Sequence, residues 1–215
     1  MDKLYIVMPA YNEQDNIRTV VTEWYSLLNG KDKESKLVVA DSGSTDATHE
    51  ILSELIGGGY SQLVILSETK QQHGPKVMAL YNYAIKEGAD FIFQTDSDGQ
   101  TLPEEFAAFW NLRAERDAII GNRITREDGY IRKIVEKIVC LLLWIFFGVK
   151  IPDANAPFRL MKSTLLQKYI TVLPSDYNLP NIMITALLPF IMKTFSSWIF
   201  PSRNVKEAKT RLIFL

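Results

Sequence analysis

The sequence has one cysteine, two histidines and almost no net charge, and each of these shortages excludes a class of protein. Cys140 has no second cysteine for an internal disulfide, and no Cys/His zinc site is expected because His49 and His73 lie far apart. A formal net charge of −1 over 215 residues gives no reason to expect nucleic-acid binding. The first residues lack a basic segment followed by a long apolar run, so we expect no signal peptide and a reducing, cytoplasmic setting.

The sequence also lacks a long uninterrupted apolar run. Residues 138–149 are uncharged but shorter than the ~20 residues that a bilayer span needs, and residues 181–200 contain Pro189 and Lys193. Both runs are rich in aromatic residues and have basic flanks. Two interpretations therefore stay open, namely core helices and helices that lie in a membrane interface. A membrane-spanning helix is the least favoured.

Short apolar strands alternate with amphipathic helices over the first 120 residues. The predicted strands are 4–8, 37–40, 63–66, 91–93 and 118–120, and the predicted helices are 12–28, 44–55, 75–87 and 103–113. This order is typical of βαβ units around a mainly parallel sheet flanked by helices, so the predicted fold class is α/β. After residue 121, basic loops and apolar helical runs replace the alternation. We expect residues 1–120 and 121–215 to pack as two halves of one domain.

Polar residues follow three of the predicted strands, in the segments 9–13 (PAYNE), 41–44 (DSGS) and 96–98 (DSD). Ligands of parallel α/β sheets bind beyond the carboxyl ends of the strands. The three polar segments are therefore expected to converge on one edge of the sheet, where they would form the site.

Asp96, Asp98 and Gln100 can present three oxygens to one side of an extended chain, because alternate residues point the same way. Mg²⁺ and Mn²⁺ prefer such oxygen ligands, and Mg²⁺ usually completes its shell with waters and phosphate oxygens. The alternative is an Asx turn that leads into the following helix. The position of the motif at the end of an apolar strand favours the metal site.

Two further segments suggest nucleotide binding. Asp41, followed by Ser42, can accept a hydrogen bond from a base or a ribose, although helix capping explains part of this DSGSTD cluster. The loop is neither a GxGxxG nor a Walker sequence. Lys76 could reach a phosphate at a helix N-terminus, or it could be ordinary surface charge.

Together these segments resemble family 2 glycosyltransferases of the GT-A fold. The resemblance rests on VMPAYNEQDNI, VVADSGSTDAT, HGPKVMALYNYAIKEGADFIFQTDSDGQTLPEE, GNR and DANAPFRLM, in this order, and covers roughly residues 3 to 165. DSDGQ, GNR and PFRLM look most like the dolichol- or polyprenol-phosphate sugar transferases. Pro75 interrupts the glycine–lysine pair that is usual in the family, and Pro157 stands where the subgroup commonly has a glycine.

The resemblance implies a role for each matched residue. Asp41 would hold the base, and Asp96, Asp98 and Gln100 would hold Mg²⁺ or Mn²⁺ on the donor diphosphate. The residues implied to line a UDP- or GDP-linked sugar are Pro9, Ala10, Tyr11 and Glu13, and those implied to face the sugar or an acceptor phosphate are Arg123, Arg126 and Arg159. The expected activity is that of an inverting, metal-dependent, hexosyltransferase-type glycosyltransferase. A nucleotidyltransferase and an inactive nucleotide-sugar-binding module are the alternatives.

Two classes of acceptor stay open. A saccharide hydroxyl, as in capsule or cell-surface polysaccharide synthesis, needs a carboxylate base, for which Asp176 is the candidate unless it only forms an Asx turn. A lipid phosphate, with a second pKa of ~6, is already anionic and needs cations instead. Arg123, Arg126 and Arg132 precede the apolar run 138–149, as expected of a phosphate site at a membrane edge. We therefore expect a polyprenyl-phosphate acceptor and an enzyme peripheral on the cytoplasmic face of the membrane.

Overall fold

A computed structural model describes residues 1–123, 130–148, 153–191 and 210–214. The strands in these ranges are β1 (Leu4–Ala10), β2 (Lys36–Asp41), β3 (Leu63–Leu66), β4 (Phe91–Gln94), β5 (Ala118–Arg123), β6 (Arg159–Lys162) and β7 (Thr210–Phe214). The helices are α1 (Ile17–Ser26), α2 (Thr48–Gly57), α3 (His73–Lys86), α4 (Phe106–Leu112), α5 (Tyr130–Phe147), α6 (Ser163–Ile170) and α7 (Pro180–Ile191), and a short 3-10 helix (Pro103–Glu105) precedes α4.

The described strands form one sheet in the order β3-β2-β1-β4-β6-β5-β7. The first four strands in this order, β3, β2, β1 and β4, are parallel to one another. Strand β6 is antiparallel to both β4 and β5, and β7 is antiparallel to β5. Strands β1 to β5 therefore all run the same way. The predicted α/β fold with a mainly parallel sheet is confirmed.

Helices cover both faces of the sheet, which explains why β1 is apolar along its whole length and buried at every residue. Successive side chains of a strand point to opposite faces. The residues of β1 accordingly divide between two hydrophobic clusters, Tyr5 and Val7 on one face and Leu4, Ile6 and Met8 on the other.

An aromatic cluster fixes the end of β4, just before the DSD motif. The ring of Phe93 lies 5.6 Å from Trp24, 5.0 Å from Phe106, 5.4 Å from Phe109 and 4.9 Å from Phe158, measured between centroids. Each such pair adds about 0.5–1.5 kcal/mol beyond the burial of its area. The strand end that carries the acidic motif is therefore held by α1, α4 and the segment before β6.

All five predicted strands are present, but three helices begin at other positions than predicted. The chain is not helical at Asn12, which has a left-handed φ of 55°. Helix α2 begins only at Thr48, whose amide donates to Asp46 Oδ1 at 3.0 Å. Helix α3 begins before Pro75, which fits the first turn because amides there have no partner within the helix. Strands β6 and β7 and helix α6 were not predicted.

The two apolar runs of the sequence fall in different environments. The run 181–200 forms α7, whose Ile184, Ala186 and Leu188 are buried in the core, and its residues beyond 191 lie outside the described ranges. The run 138–149 lies largely in α5, which buries Leu143 and exposes a broad apolar face. None of the helices that the structure describes is long and apolar enough to cross a membrane.

Arg159 is the hub of a buried polar network between β6 and α7. Its side chain is fully buried and donates to the Ala156 carbonyl at 2.8 Å and to the Asn181 carbonyl at 3.2 Å. The Thr185 hydroxyl donates to the same Asn181 carbonyl at 2.7 Å. Tyr81 contacts Asn181 from the other side, since its hydroxyl donates to Asn181 Oδ1 at 3.1 Å. This arrangement favours a structural role for Arg159 over the predicted contact with an acceptor phosphate.

We predict that Arg159→Met lowers the free energy of unfolding by about 1–3 kcal/mol, because the buried Ala156 carbonyl loses its donor, whereas the Asn181 carbonyl keeps the hydrogen bond from Thr185. Urea unfolding followed by tryptophan fluorescence measures this loss. Arg18→Met is the matched control, since the exposed pair of Arg18 and Glu54 contributes about 0–1 kcal/mol. Unchanged stability combined with a raised KM for the acceptor would instead support the phosphate-binding role of Arg159.

Candidate functional site

The three polar loops meet at one edge of the sheet, and hydrogen bonds join them. The loop after β1 contacts the loop after β4, because the Ser97 hydroxyl donates to the Pro9 carbonyl at 2.8 Å. It also contacts the loop after β2, because the Thr45 amide donates to Asn12 Oδ1 at 2.8 Å. Asparagine tolerates the left-handed backbone that this contact requires at position 12. The edge is therefore one connected platform.

A cleft of about 800 Å³ opens at this edge, within the range of 300–1,000 Å³ that is usual for ligand pockets. The predicted site residues that line it are Pro9, Ala10, Tyr11, Glu13, Lys76, Asp96, Asp98 and Gln100. The remaining wall comes from α5 and from segments 153–157 and 178–182. The structure thus brings together the predicted metal and diphosphate residues in one space.

Asp96, Asp98 and Gln100 form a donor set that suits a hard divalent cation. The predicted Asx turn is present as well, since the Gln100 amide donates to Asp98 Oδ1 at 3.0 Å. Among the residues that the structure describes, no three His, Cys, Asp or Glu side chains converge on one point. Two carboxylates and an amide fit Mg²⁺ or Mn²⁺ only if waters and substrate phosphates complete the shell, which is how Mg²⁺ is usually bound.

Negative charge accumulates around these carboxylates. The pKa of Glu13 is raised by burial and then by the charges of Asp98, Asp46 and Asp96, while a hydrogen bond from Asn16 acts in the opposite direction. A raised carboxyl pKa means that its ionised form is disfavoured by its surroundings. A cation bound at Asp96 and Asp98 would offset this repulsion.

Positive groups enter the cleft from the first turn of α3. Lys76 is almost fully buried, and its Nζ donates to the Ala10 carbonyl at 2.5 Å. Burial lowers the pKa of Lys76, and the charge of Asp41 opposes this shift. His73 Nε2 lies 3.7 Å from Asp96 Oδ1. Because a helix N-terminus also favours anions, this end of the cleft suits a phosphate group.

Asp41 and Ser42 lie at the same edge but do not line the cleft. Asp41 is only 2 % exposed, accepts a hydrogen bond from the Ser44 hydroxyl and contacts His49 Nδ1 at 3.0 Å. The Ser42 hydroxyl shares a hydrogen bond with Thr69 Oγ1 at 2.7 Å. The contact of Asp41 and Ser42 with a nucleotide stays a prediction.

The predicted acceptor arginines belong to different parts of the fold. Arg123 ends β5 and Arg132 lies near the start of α5, while Arg126 lies outside the described residues. Arg159 does not line the cleft. The roles of Arg123, Arg126 and Arg132 at an acceptor phosphate stay predictions.

Asp176 lies beside the cleft and does not line it. It is exposed and forms an ion pair with Lys70 at 2.7 Å, and the hydrogen bond from Lys70 lowers the pKa of its carboxyl. A lowered pKa makes a weaker base. The Tyr177 amide donates to the Pro174 carbonyl at 3.1 Å, so the segment forms a backbone turn, and the Asx turn of the alternative interpretation stays a prediction. The catalytic role of Asp176 stays a prediction.

The sequence analysis missed two carboxylates of the cleft, Glu136 of α5 and Asp153. Asp153 lines the cleft wall, is only 2 % exposed and accepts a hydrogen bond from the Asn155 amide at 3.1 Å. No apolar strand precedes Asp153, so the strand-end signal that identified Asp96 and Asp98 does not apply to it. Only its place in the DANAPFRLM segment could have drawn attention to it.

Comparison with known proteins connects this geometry to a family. The model of glycosyl transferase family 2 matches residues 5–170. The "Undecaprenyl-phosphate 4-deoxy-4-formamido-L-arabinose transferase" of Edwardsiella ictaluri is 27 % identical over 165 residues, which cover 75 % of this chain and 50 % of that protein. The protein of the same name from Yersinia pestis is 23 % identical over 168 residues, covering 77 % and 50 %. The chain thus spans about half the length of these curated relatives.

Solved structures share the fold. Glucosyl-3-phosphoglycerate synthase from Mycobacterium tuberculosis, in complex with Mn²⁺, UDP-glucose and phosphoglyceric acid, superposes with a TM-score of 0.62 at 19 % identity, covering 87 % of this chain and 64 % of that one. Residues 1–349 of S. aureus TarS in complex with UDP give a TM-score of 0.55 at 18 % identity, covering 85 % and 54 %. The GT-A-type sheet and its acidic edge agree with the family-model match. This match over residues 5–170 shows that the chain belongs to glycosyl transferase family 2.

Proposed function

We propose that this chain transfers a sugar from a nucleotide-diphospho sugar to a polyprenyl phosphate. The observation that carries the proposal is the composition of one cleft. Its lining combines the carboxylates of Asp96 and Asp98 with the buried cation of Lys76, whereas Val135 and Leu179 make another part of the lining apolar. A donor diphosphate fits the first environment, and the hydrocarbon chain of a lipid phosphate fits the second.

The donor half of the proposal rests on residues 1–120. Asp96, Asp98 and Gln100 would hold a divalent cation, Mg²⁺ or Mn²⁺. When bound, this cation would neutralise charge on the leaving nucleoside diphosphate. Lys76 and the N-terminus of α3 orient the phosphates from the other side. Inversion at the anomeric carbon is inferred from family membership. The UDP in the two fold neighbours makes UDP-linked sugars the first donors to test, ahead of GDP-linked sugars.

The acceptor half rests on residues 121–215. Val135 and Val139 of α5 and Leu179 and Ile182 at the start of α7 give the cleft an apolar lining next to its polar floor. A lipid phosphate needs no general base, because it is anionic at neutral pH. The curated relatives carry undecaprenyl phosphate in their names, which supports this class of acceptor.

A membrane surface is the proposed location of this lipid acceptor. One stripe of α5 packs on the core through Val139, Cys140, Leu143 and Phe147. The rest of the helix exposes large apolar side chains to solvent, with Trp144 57 % and Phe146 72 % exposed. The other exposed members of this apolar face of α5 are Ile134, Val135, Ile138, Leu141, Leu142 and Ile145. An apolar face with a tryptophan is suited to lie in a membrane interface, which would place the enzyme peripherally on the cytoplasmic leaflet.

A second candidate is transfer to a saccharide hydroxyl, and Asp153 is the observation that favours it. This carboxylate lies on the cleft wall, where a general base for a hydroxyl acceptor would be needed. Asp176, the base proposed from the sequence, lies outside that wall and is paired with Lys70. The saccharide hypothesis therefore now depends on Asp153 more than on Asp176.

The decisive experiment follows sugar-labelled and nucleotide-labelled UDP-sugars in parallel, with Mn²⁺ and undecaprenyl phosphate in vesicles. The proposal expects only the sugar label to enter the lipid fraction. Entry of the nucleotide label would indicate a nucleotidyltransferase. Binding of UDP without transfer to lipid or saccharide would indicate a nucleotide-sugar-binding module.

We predict that Asp96→Asn and Asp98→Asn each reduce transfer by about 10²–10³-fold, the usual cost of losing one electrostatic contact to developing charge. Both variants should also lose the Mn²⁺-dependent part of UDP affinity, measured by calorimetry with Mn²⁺ and with EDTA. Asp15→Asn is the control, because Asp15 is an exposed carboxylate that does not line the cleft. Variants that keep full turnover in EDTA would contradict the metal site.

We predict that Asp176→Asn changes transfer to undecaprenyl phosphate less than about fivefold, because an exposed ion pair contributes little. Asp153→Asn should likewise retain the chemical step with this acceptor. If the acceptor is a saccharide, loss of the base should instead cost about 10²–10⁴-fold in one of the two variants. Steady-state kinetics with both acceptors separate these results.

We predict that replacing Trp144 and Phe146 together by glutamine lowers the membrane-bound fraction of the protein. Burial of one large apolar side chain contributes about 1.5–3 kcal/mol, so the partition constant should fall at least tenfold. Flotation with phosphatidylglycerol vesicles measures it, and Val172→Gln is the control at an exposed apolar residue outside α5. Equal flotation of the double variant and the wild type would contradict membrane contact by α5.

A further inference from the structure

The backbone of one cleft wall touches the first turn of α3 at Gly74. A Cβ atom at this position would lie 2.2 Å from the carbonyl oxygen of Asn178, 2.4 Å from its carbonyl carbon and 2.5 Å from its Cα. Real Cβ atoms essentially never approach other heavy atoms closer than 3.0 Å. The obstacle is backbone, so no change of side-chain rotamer can make room. Glycine is required here for space, since its φ is not among the positive values of the chain.

The contact lies between two groups of residues that line the cleft. On the α3 side, His73 and Lys76 flank Gly74 and line the cleft next to the acidic motif. On the other side, Asn178 belongs to the segment 174–182, which we call the acceptor wall, and its residues 178–182 line the cleft. The separation between the phosphate-binding end of α3 and the acceptor wall is therefore set where Gly74 meets Asn178.

The acceptor wall is attached differently at its two ends. Near its C-terminal end, Asn181 is buried and held by the Tyr81 hydroxyl at 3.1 Å and by the Arg159 guanidinium at 3.2 Å. Near its N-terminal end, Tyr177 is half-buried and packs on the core, and Asp176 forms an exposed ion pair with Lys70 at 2.7 Å. Exposed ion pairs hold loops weakly. Between Tyr177 and Asn181, the backbone of the wall rests on α3 at the contact of Asn178 with Gly74.

We propose that Gly74 is a positioning residue of this enzyme, which sets the distance between the acceptor wall and the donor diphosphate by letting the Asn178 backbone rest on α3. The expected effect on transfer kinetics rests on the proposed function. The expected effect on the position of the wall rests on geometry alone. A side chain at position 74 moves the wall outward and leaves Asp96 and Asp98, on the loop after β4, in place. The acceptor is then held too far from the donor.

The test compares Gly74→Ala with Gly57→Ala. Both glycines lie in helices, where alanine is normally favoured over glycine, but a Cβ at Gly57 meets no atom within 4 Å. Hydrogen exchange should become about 10-fold or more faster at the amides of 174–182 in Gly74→Ala only, as local opening becomes easier. The KM for undecaprenyl phosphate should rise, or kcat fall, by about 10- to 100-fold, while UDP affinity changes less than about twofold.

Lys70→Ala keeps the inference falsifiable if Gly74→Ala does not fold. This variant removes only the exposed attachment, so exchange over 174–182 should stay within about twofold of wild type. Hydrogen exchange over 174–182 that becomes faster in Lys70→Ala would show that the ion pair holds the wall, and this result would overturn the role of Gly74. Unchanged exchange or unchanged acceptor kinetics in folded Gly74→Ala would overturn it as well. A wild-type protein without transfer would refute the proposed function, and the exchange results would still decide where the wall is held.

Discussion

The parallel pairing of β1 with β2 and β4 is the constraint on which the candidate site depends. In this register Ala10 lies opposite Asp41, and Val7 lies opposite Gln94. Because the three strands run the same way, their polar continuations leave the sheet at the same edge. Ser97 can donate to Pro9, 88 positions earlier in the chain, only because this pairing brings their loops together.

A second constraint is the need to satisfy backbone groups below the cleft. Ala154 and Ala156 are buried in the loop before β6, outside the sheet ladder, so their carbonyls need donors from side chains. Arg159 donates to the Ala156 carbonyl, and the Thr185 hydroxyl, which is closer to the Asn181 carbonyl, also lies 3.1 Å from the Ala154 carbonyl. Burial lowers the pKa of the Arg159 guanidinium, and the neighbouring Tyr81 and Asp153 act against this shift. The hydrogen bonds of Arg159 to the Ala156 and Asn181 carbonyls hold two walls of the cleft to the sheet.

The cleft then combines environments that rarely occur together. Acidic side chains follow β4, a buried lysine and a helix N-terminus lie beside them, and apolar residues of α5 and α7 complete the lining. Each group comes from a different part of the chain. The proposed reaction between a nucleotide-diphospho sugar and a lipid phosphate would use all of them, whereas transfer to a saccharide hydroxyl would leave the apolar part of the lining without a role.

Local patterns in the sequence determined the five strands β1 to β5, the amphipathic helices between them, and the acidic motif after β4, because periodicity and strand-end polarity act within a few residues. Strand β6 could not be predicted from such a local pattern. Its four residues carry Arg159 and Lys162 at their ends, and its antiparallel place between β4 and β5 depends on pairing with distant strands. Helix α2 begins later than predicted because the Asp46 carboxylate accepts a hydrogen bond from the Thr48 amide at the helix start.

The surroundings of single polar residues depend on tertiary structure. An arginine has the same local sequence signal whether it binds a phosphate or a buried carbonyl, and only the folded chain shows that Arg159 is fully buried beside two carbonyls. Asp153 and Asp176 are both aspartates in polar segments, yet one lines the cleft and the other pairs with Lys70 at the surface. The sequence by itself determined which chemistry is present at the sheet edge. Packing between distant segments decided which of those groups a ligand could reach, because burial and contact are properties of the folded chain.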